Sequence, residues 1–384
     1  MSRVHDSEIT TPAERAPEEP ASRASRAQAF ARGLWLITTL ELRQRVRGVG
    51  WYVLLGVFVL LVAIVTVLLW LSTSASIMGG GGVFSTIIFF VLLLGTLVSP
   101  ALSGNAVNGD RDAGTLATTQ VTLITTGQLV LGKFLAAWIT ALAFLAASVP
   151  FLLFAVMLGE VSIATINVSV LVLAAELGVA AAVGVGLSGI LTRPLFSIVV
   201  TYLVVAALSV GTLISFALLG TATKSEATTT TQEPSSATYD PDTGVQTDVV
   251  CGTPRVQTYD VPRFDYYWWV LAANPYVVVA DASPGVFDEH GGPQDLFGWI
   301  SVGVRSAQAA PDLHTEYNYC ENGALPGEGG YTPRPTPEQT YNDSVPSWFV
   351  GLAIHLALGA GALYWAWRRT FAPARHLPKG SRVA

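Results

Sequence analysis

Long apolar stretches alternate with short polar ones along most of the chain. Six of these stretches are long enough to cross a hydrocarbon core, which takes about 20 residues of helix. They cover residues 51–71, 83–104, 129–158, 168–191, 195–220 and 346–367. Only 12% of the 384 residues are charged, against about 25% in an average soluble domain. The pattern predicts an all-α polytopic membrane protein with six transmembrane helices.

The positive charges beside these stretches predict an orientation. Arg43, Arg45 and Arg47 precede the first span and five Lys and Arg follow the last, whereas the turns 72–82 and 159–167 carry none. Because Lys and Arg in short loops stay in the cytoplasm, we expect a multi-pass protein of the plasma (inner) membrane with both termini cytoplasmic. The polar segment 1–27 has no signal-peptide core and is typical of a disordered cytoplasmic tail. Residues 368–384 form the second tail.

Residues 28–50 differ from both the tail and the spans. Phe30, Leu34 and Ile37 recur at helical spacing among charged residues, a pattern that favours an amphipathic helix along the inner membrane surface. The alternative is an ordinary charged approach to the first span.

Between the fifth and sixth spans, residues 221–345 are polar, and we expect them to form a large external loop domain. Its apolar segment 266–280 is short for a span, so it fits either a re-entrant or interfacial segment or a helix in a soluble core. Because the exterior is oxidising, its two cysteines, Cys251 and Cys320, predict a disulfide.

Motifs for cofactors are incomplete. The run 184–189 reads G-x-G-x-x-G but lies inside the fourth span, where small residues at Ala180, Gly184 and Ser188 would instead let another helix approach closely. The run 127–133 imitates part of a phosphate-binding loop, but Phe134 replaces the Ser or Thr that holds magnesium. We therefore expect no ATP-binding domain, cofactor, metal site or catalytic group in this chain, and its charge pattern offers no groove for nucleic acid.

Two ionisable residues fall within predicted spans. Glu176 lies near the middle of the fourth span and His355 lies inside the sixth. Ionisable groups at that depth are costly and are candidates for function. Glu176 either contacts a substrate or a proton, or is a protonated side chain hydrogen-bonded between helices.

The cytoplasmic loop 105–128 is the most distinctive polar segment. Its charged turn at Asp110, Arg111 and Asp112 runs into a short Leu- and Thr-rich stretch and then into Gly132-Lys133 at the start of the third span. Such a projection suits a docking surface for a soluble partner, although a tight loop fits the same residues.

At these residues the chain resembles the ABC-2 type family of ABC transporter permeases. Family members carry a charged group, Gly-Thr-Leu-Glu, a short helix and then Gly-Lys in this place. The corresponding residues here are Arg111, Gly114, Thr115, Leu116, Gly132 and Lys133. Asn274-Pro275 ahead of the last span is similar to the family as well. Ala117 departs from the pattern, since the family usually has Glu there, and the external loop is unusually long.

The resemblance implies the transmembrane subunit of an exporter that pairs with a second permease copy or paralogue in the lipid bilayer. A separate ATP-binding subunit would hold ATP and magnesium and supply the energy. The residues that the resemblance assigns to coupling with that ATPase are Glu41, Arg43, Arg45, Arg47, Asp110, Arg111, Asp112, Gly114, Thr115 and Leu116.

Two other functions fit the residues. The chain could be a non-transporting membrane protein whose external domain senses or scaffolds at the cell envelope. It could also be an intramembrane enzyme using Glu176 and His355, although no third group completes a site.

Overall fold

The structure is a computed structural model that describes residues 23–73, 80–112, 124–159, 161–239, 246–319 and 335–370. It is mostly helical. The helices are α1 (Arg23–Arg47), α2 (Val49–Thr73), α3 (Gly80–Ser103), α4 (Asn108–Asp112), α5 (Thr126–Met157), α6 (Ile163–Ile190), α7 (Pro194–Ala222), α8 (Trp268–Ala272), α9 (Pro275–Ala282), α10 (Leu296–Ser306), α11 (Pro337–Asp343) and α12 (Trp348–Thr370). The strands are β1 (Lys224–Gln232), β2 (Pro234–Tyr239), β3 (Gln246–Cys251), β4 (Arg255–Pro262) and β5 (His314–Asn318).

Six helices in the described residues are long and apolar enough to cross a membrane. They are Val49–Ser72, Gly81–Asp112, Thr126–Met157, Ile163–Ile190, Pro194–Ala222 and Trp348–Thr370. Each overlaps one of the predicted spans, so the prediction of a multi-pass, six-helix protein is confirmed. Its orientation and the kind of membrane stay predictions.

Helix α6 forms the centre of the bundle. Within its apolar segment 72% of the residues are buried, compared with 17% in α2 and 11% in α7. The latter two helices therefore turn most of their apolar side chains outward, as helices in contact with lipid do.

Small residues in α6 allow neighbouring helices to come close. A Cβ atom added to Gly184 would lie 1.9 Å from Ser103 Oγ in α3, and one on Gly186 would lie 2.6 Å from the Cβ of Ala362 in α12. The small residues of 184–189 therefore lie where α3 and α12 contact α6, as the packing interpretation predicts. Larger side chains there would separate α6 from both neighbours.

Helix α1 packs lengthwise along the first half of α5. Ile37 is buried against Gly132, where an added Cβ would come within 2.6 Å of the Ile37 side chain. Away from α5, α1 exposes Trp35, Leu36 and Leu40 together with charged residues such as Arg32 and Arg43. Its place at the membrane surface stays a prediction.

A small sheet follows directly from α7. Strand β1 lies in its centre, antiparallel to β4 and parallel to β5, while β2 and β3 form a separate antiparallel pair. These strands belong to the predicted loop domain 221–345. Whether this end of the bundle is external stays a prediction.

The rest of that region packs into the bundle instead of standing apart. Helices α8 and α9 cover the segment 266–280, and residues Val278, Val279 and Ala280 share one hydrophobic core with α3, α5 and α6. Phe297 of α10 joins the same core through edge contacts with Phe84 and Phe89. The segment 266–280 therefore forms two short helices packed against the spans, and the choice between the two predicted alternatives stays open.

Candidate functional site

Lys133 is a buried cation that joins three helices. Only 1% of its side chain is exposed, and its ammonium group pairs with Glu41 of α1 and lies 2.7 Å from Asp110 Oδ2 in α4. The carboxylate side chains are 17% and 33% exposed, so each keeps part of its hydration while Lys133 has none. A buried ammonium needs such partners, because leaving it unpaired would be strongly destabilising. Two residues assigned to coupling, Glu41 and Asp110, thus meet at one lysine.

Arg111 links α4 to the end of α6 through hydrogen bonds. Its guanidinium donates to Asn108 Oδ1 at 2.9 Å and contacts the carbonyl oxygens of Leu191 and Gly189 at 3.3 and 3.4 Å. Those carbonyls belong to the last turn of α6, where a cation is favourable. In return, Ser188 Oγ accepts the backbone N–H groups of Val107 and Asn108 at the start of α4. Each helix end therefore supplies hydrogen-bond partners for backbone groups of the other.

The other residues assigned to coupling are dispersed. Arg45 lies 3.5 Å from Thr140 Oγ1; burial lowers the pKa of its guanidinium, and the charge of Glu41 acts in the opposite direction. Arg43, Arg47 and Asp112 are exposed. Gly114, Thr115 and Leu116 lie outside the described residues, so the loop 105–128 is described only at its two ends.

Glu176 and His355 come together in the centre of the bundle. His355 Nδ1 lies 2.9 Å from the Glu176 carboxylate, and Nε2 lies 2.8 Å from the carbonyl oxygen of Ala273. Both residues are buried. Since a carbonyl oxygen only accepts, Nε2 carries a proton and donates a hydrogen bond to the carbonyl oxygen of Ala273. A second proton lies between Nδ1 and the carboxyl group, so the pair is neutral overall whichever of the two atoms holds it.

A small, partly open cavity adjoins Glu176. It has a volume of about 30 Å³ and is lined by residues of α3, α6, α7 and α9, among them Thr96, Val183 and Leu208. A space of this size has room for about one water molecule. Glu176 therefore borders a small, partly open cavity as well as His355. No group of three metal-binding side chains occurs among the described residues.

Asn274 links the segment ahead of the last span to an irregular turn in α7. The turn Ala207–Gly211 is a π-helix, which leaves backbone carbonyls without their usual partners. Asn274 Nδ2 donates to Ser209 O at 2.6 Å and to Thr212 Oγ1 at 2.9 Å, while its Oδ1 accepts the N–H of Tyr276 and caps α9. The resemblance drew attention to Asn274, but it contained no signal for its partner Ser209.

A second buried ion pair, missed by the sequence analysis, joins α9, α10 and α12. Asp281 Oδ1 accepts from Arg305 Nε at 2.6 Å, and Oδ2 accepts from Ser347 Oγ at 2.9 Å and from the N–H groups of Ser347 and Trp348 at the start of α12. The Arg305 guanidinium also lies 3.9 Å from the centre of the Tyr341 ring. A lone Asp ending the apolar run 275–280 was the available signal.

Cys251 is exposed at the end of β3. Its predicted partner, Cys320, lies outside the described residues, so the disulfide stays a prediction.

No known protein family matches the sequence of this chain, and no curated protein matches it either. Functional interpretation therefore depends on the residues and their geometry.

Proposed function

We propose that this chain is the permease subunit of an ATP-binding cassette exporter and forms its translocation path. The observation that carries the proposal is the buried Lys133 with its two carboxylate partners, Glu41 and Asp110. A separate ATPase subunit would bind ATP and magnesium. The permease would act as a dimer with a second copy or a paralogue, in the plasma membrane, with both termini cytoplasmic.

The polar contacts around Lys133 suit the transmission of force. Asp110 and Arg111 lie in the first part of the loop 105–128, against which a docked ATPase would push. Lys133 connects this point to α1 and α5, and Arg111 with Ser188 connects it to α6. A displacement of α4 would therefore move α1, α5 and α6 together, since each link is a buried or charge-assisted contact.

The first test asks whether an ATPase belongs to the complex. The full chain would be purified in mild detergent from the cells that produce it, and its stoichiometric partners identified by mass spectrometry. We expect a partner that carries a complete nucleotide-binding motif, and ATP hydrolysis that depends on the permease. A chain that purifies without such a partner, and whose preparation hydrolyses no ATP, contradicts the proposal.

The second test separates coupling from docking. In Lys133→Met the ATPase should still copurify, but permease-dependent hydrolysis should fall by about tenfold, within the usual range of coupling free energies. Asp112→Lys alters an exposed charge on the docking side and should weaken copurification instead. Lys224→Met is the control, because Lys224 is exposed and lies 3.8 Å from an exposed Asp260. Unchanged hydrolysis in Lys133→Met would reject the assigned role of Lys133.

A further inference from the structure

An apolar groove runs between α5, α6 and α12. It consists of two adjoining cavities with volumes of about 290 and 390 Å³, both of which are lined by Ala360 and Leu363. We call it the α5–α12 groove.

Trp138 forms one side of the groove, and close contacts between helices form its base. The indole N–H of Trp138 donates to the carbonyl oxygen of Ala174 at 2.9 Å, and its ring stacks on Phe134. On the floor, a Cβ atom added to Gly178 would lie 3.0 Å from the Trp138 ring, and one on Gly359 would lie 3.2 Å from the Cβ of Ala182. Since the helices touch beneath it, the groove is a preformed surface channel.

Its length matches one leaflet of a bilayer. Eleven positions separate Gly127 from Trp138 on α5, and eleven separate Leu356 from Trp367 on α12. At 1.5 Å per residue each distance is about 16 Å, roughly half of the 30 Å hydrocarbon thickness. An object that fills the groove is therefore apolar and about as long as the acyl chain of one leaflet.

One end of the groove carries aromatic and basic residues. Tyr364 and Trp367 line it there, and Tyr364 also borders a neighbouring cavity that is lined by the exposed Arg368 and Arg369. Arg368 Nη1 lies 3.4 Å from the hydroxyl oxygen of Tyr364. Aromatic rings are typical of the membrane interface, and basic residues between helices at that level bind anionic headgroups.

We propose that the α5–α12 groove binds one acyl chain of an anionic phospholipid, with the phosphate held at Arg368 and Arg369. The charge distribution favours this occupant over a second copy of the chain. A two-fold contact through this face would bring the Arg pairs of both copies towards each other, which is unfavourable. The site does not depend on the proposed transport function.

The test uses the purified full chain and native mass spectrometry in detergent with phosphatidylglycerol or phosphatidylcholine. Ala360→Trp fills the groove at one of the two residues that both cavities share. Because a preformed pocket binds by shape, we expect this variant to lower the affinity for both lipids by about tenfold. The matched control is Ala357→Trp, an exposed position on the same helix that does not line the groove.

Headgroup recognition is tested separately. Arg368→Gln and Arg369→Gln should each reduce the preference for phosphatidylglycerol over phosphatidylcholine by about fivefold, the effect expected of one basic residue at an anionic surface. Arg193→Gln removes an exposed charge from the turn between α6 and α7 and should change nothing.

Three results would overturn the proposal. One is equal lipid binding by Ala360→Trp and Ala357→Trp when both have the thermal midpoint of the native protein. Another is an undiminished phosphatidylglycerol preference in the Arg368→Gln, Arg369→Gln double variant. The third is a change of oligomeric state in Ala360→Trp without a change in bound lipid, which would assign the groove to a second copy. If Ala360→Trp does not fold, Ala360→Leu replaces it with the same expected direction.

Discussion

Nδ1 of His355 lies 2.9 Å from the carboxylate of Glu176, although 179 positions separate the two residues in the chain. The contact joins α12 to α6 in the buried centre of the bundle, and the other imidazole nitrogen binds the connection between α8 and α9. Three elements therefore meet at one histidine. A neutral hydrogen-bonded pair is a stable arrangement at such a depth, whereas either partner alone would be costly.

This contact predicts strong energetic coupling between the two residues. His355→Ala or Glu176→Ala alone should lower the free energy of unfolding by about 3–5 kcal/mol, because each leaves a buried polar partner without its contact. The double variant should lose less than the sum, with a coupling of about 1–3 kcal/mol. Chemical unfolding of the purified chain in detergent measures all three.

A distant pair provides the control for that cycle. Glu176→Ala combined with Lys224→Met should be additive, since Lys224 is an exposed residue of β1. Additivity of the Glu176 and His355 substitutions would show that their contact contributes nothing of its own.

Removing the buried cation Lys133 should cost less stability than removing its two carboxylate partners. Lys133→Met removes the fully buried charge and leaves Glu41 and Asp110, which are partly hydrated, so we expect a loss of about 1–2 kcal/mol. The double variant Glu41→Gln, Asp110→Asn leaves a buried ammonium without a carboxylate and should lose about 3–5 kcal/mol. Measuring the unfolding free energies of both variants shows which loses more stability. A larger loss in Lys133→Met would contradict the expectation that the unpaired buried ammonium is the more costly state.

A small substitution at Asp281 should have a large effect on the free energy of unfolding. Asp281→Asn keeps the shape but removes the charge that pairs with the buried Arg305 and caps α12, so unfolding should require about 3–5 kcal/mol less. Limited proteolysis within residues 296–347 should also become faster. Asp288→Asn is the control: Asp288 is exposed and accepts the N–H groups of His290 and Gly292, which an amide oxygen also accepts. Equal stability of the two variants would refute the role of Asp281.

The carboxyl group of Asp265 should contribute to the pH dependence of folding stability. Hydrogen bonds from the Arg263 guanidinium hold the pKa of the Asp265 carboxyl below its usual value. A folded-state pKa below the unfolded one stabilises the protein above the usual Asp pKa of about 3.9, and this contribution disappears as the pH falls through the folded pKa.

The measurement is the thermal midpoint between pH 6 and pH 3. It should fall less steeply in Asp265→Asn than in the native protein, because the variant has no carboxyl group to protonate at this position. Asp295, whose pKa is raised by burial, is present in both proteins and does not affect the difference. Parallel curves would exclude Asp265 as a contributor.

The spans and one packing surface were predictable because they depend on local properties. Length and apolarity are counted along the chain, and each of the six helices overlaps its predicted segment, although Gly81–Asp112 runs past the predicted end at residue 104. The small residues around Gly184 were recognisable for a similar reason, since their four-residue spacing puts them on one face of one helix.

The polar partners were not predictable in the same way. Glu176 and His355 stood out as ionisable groups within spans, and Glu41 and Asp110 were assigned through the resemblance, but nothing in the sequence paired them. Lys133 appeared only as part of a motif, and 92 positions separate it from Glu41. The π-helical turn Ala207–Gly211 has no signal in the sequence, and neither has the hydrogen bond that Asn274 donates to Ser209 O within it.

The sequence by itself determined which segments are suited to lipid and where the scarce charges lie, because transfer into hydrocarbon depends on composition over about 20 residues. Only the tertiary structure decided which charges meet. A hydrogen bond or ion pair requires atoms within about 3 Å, and that distance depends on how helices far apart in the chain pack. Glu176 with His355, and Lys133 with Glu41 and Asp110, are the two places where this packing turned isolated charges into candidate sites.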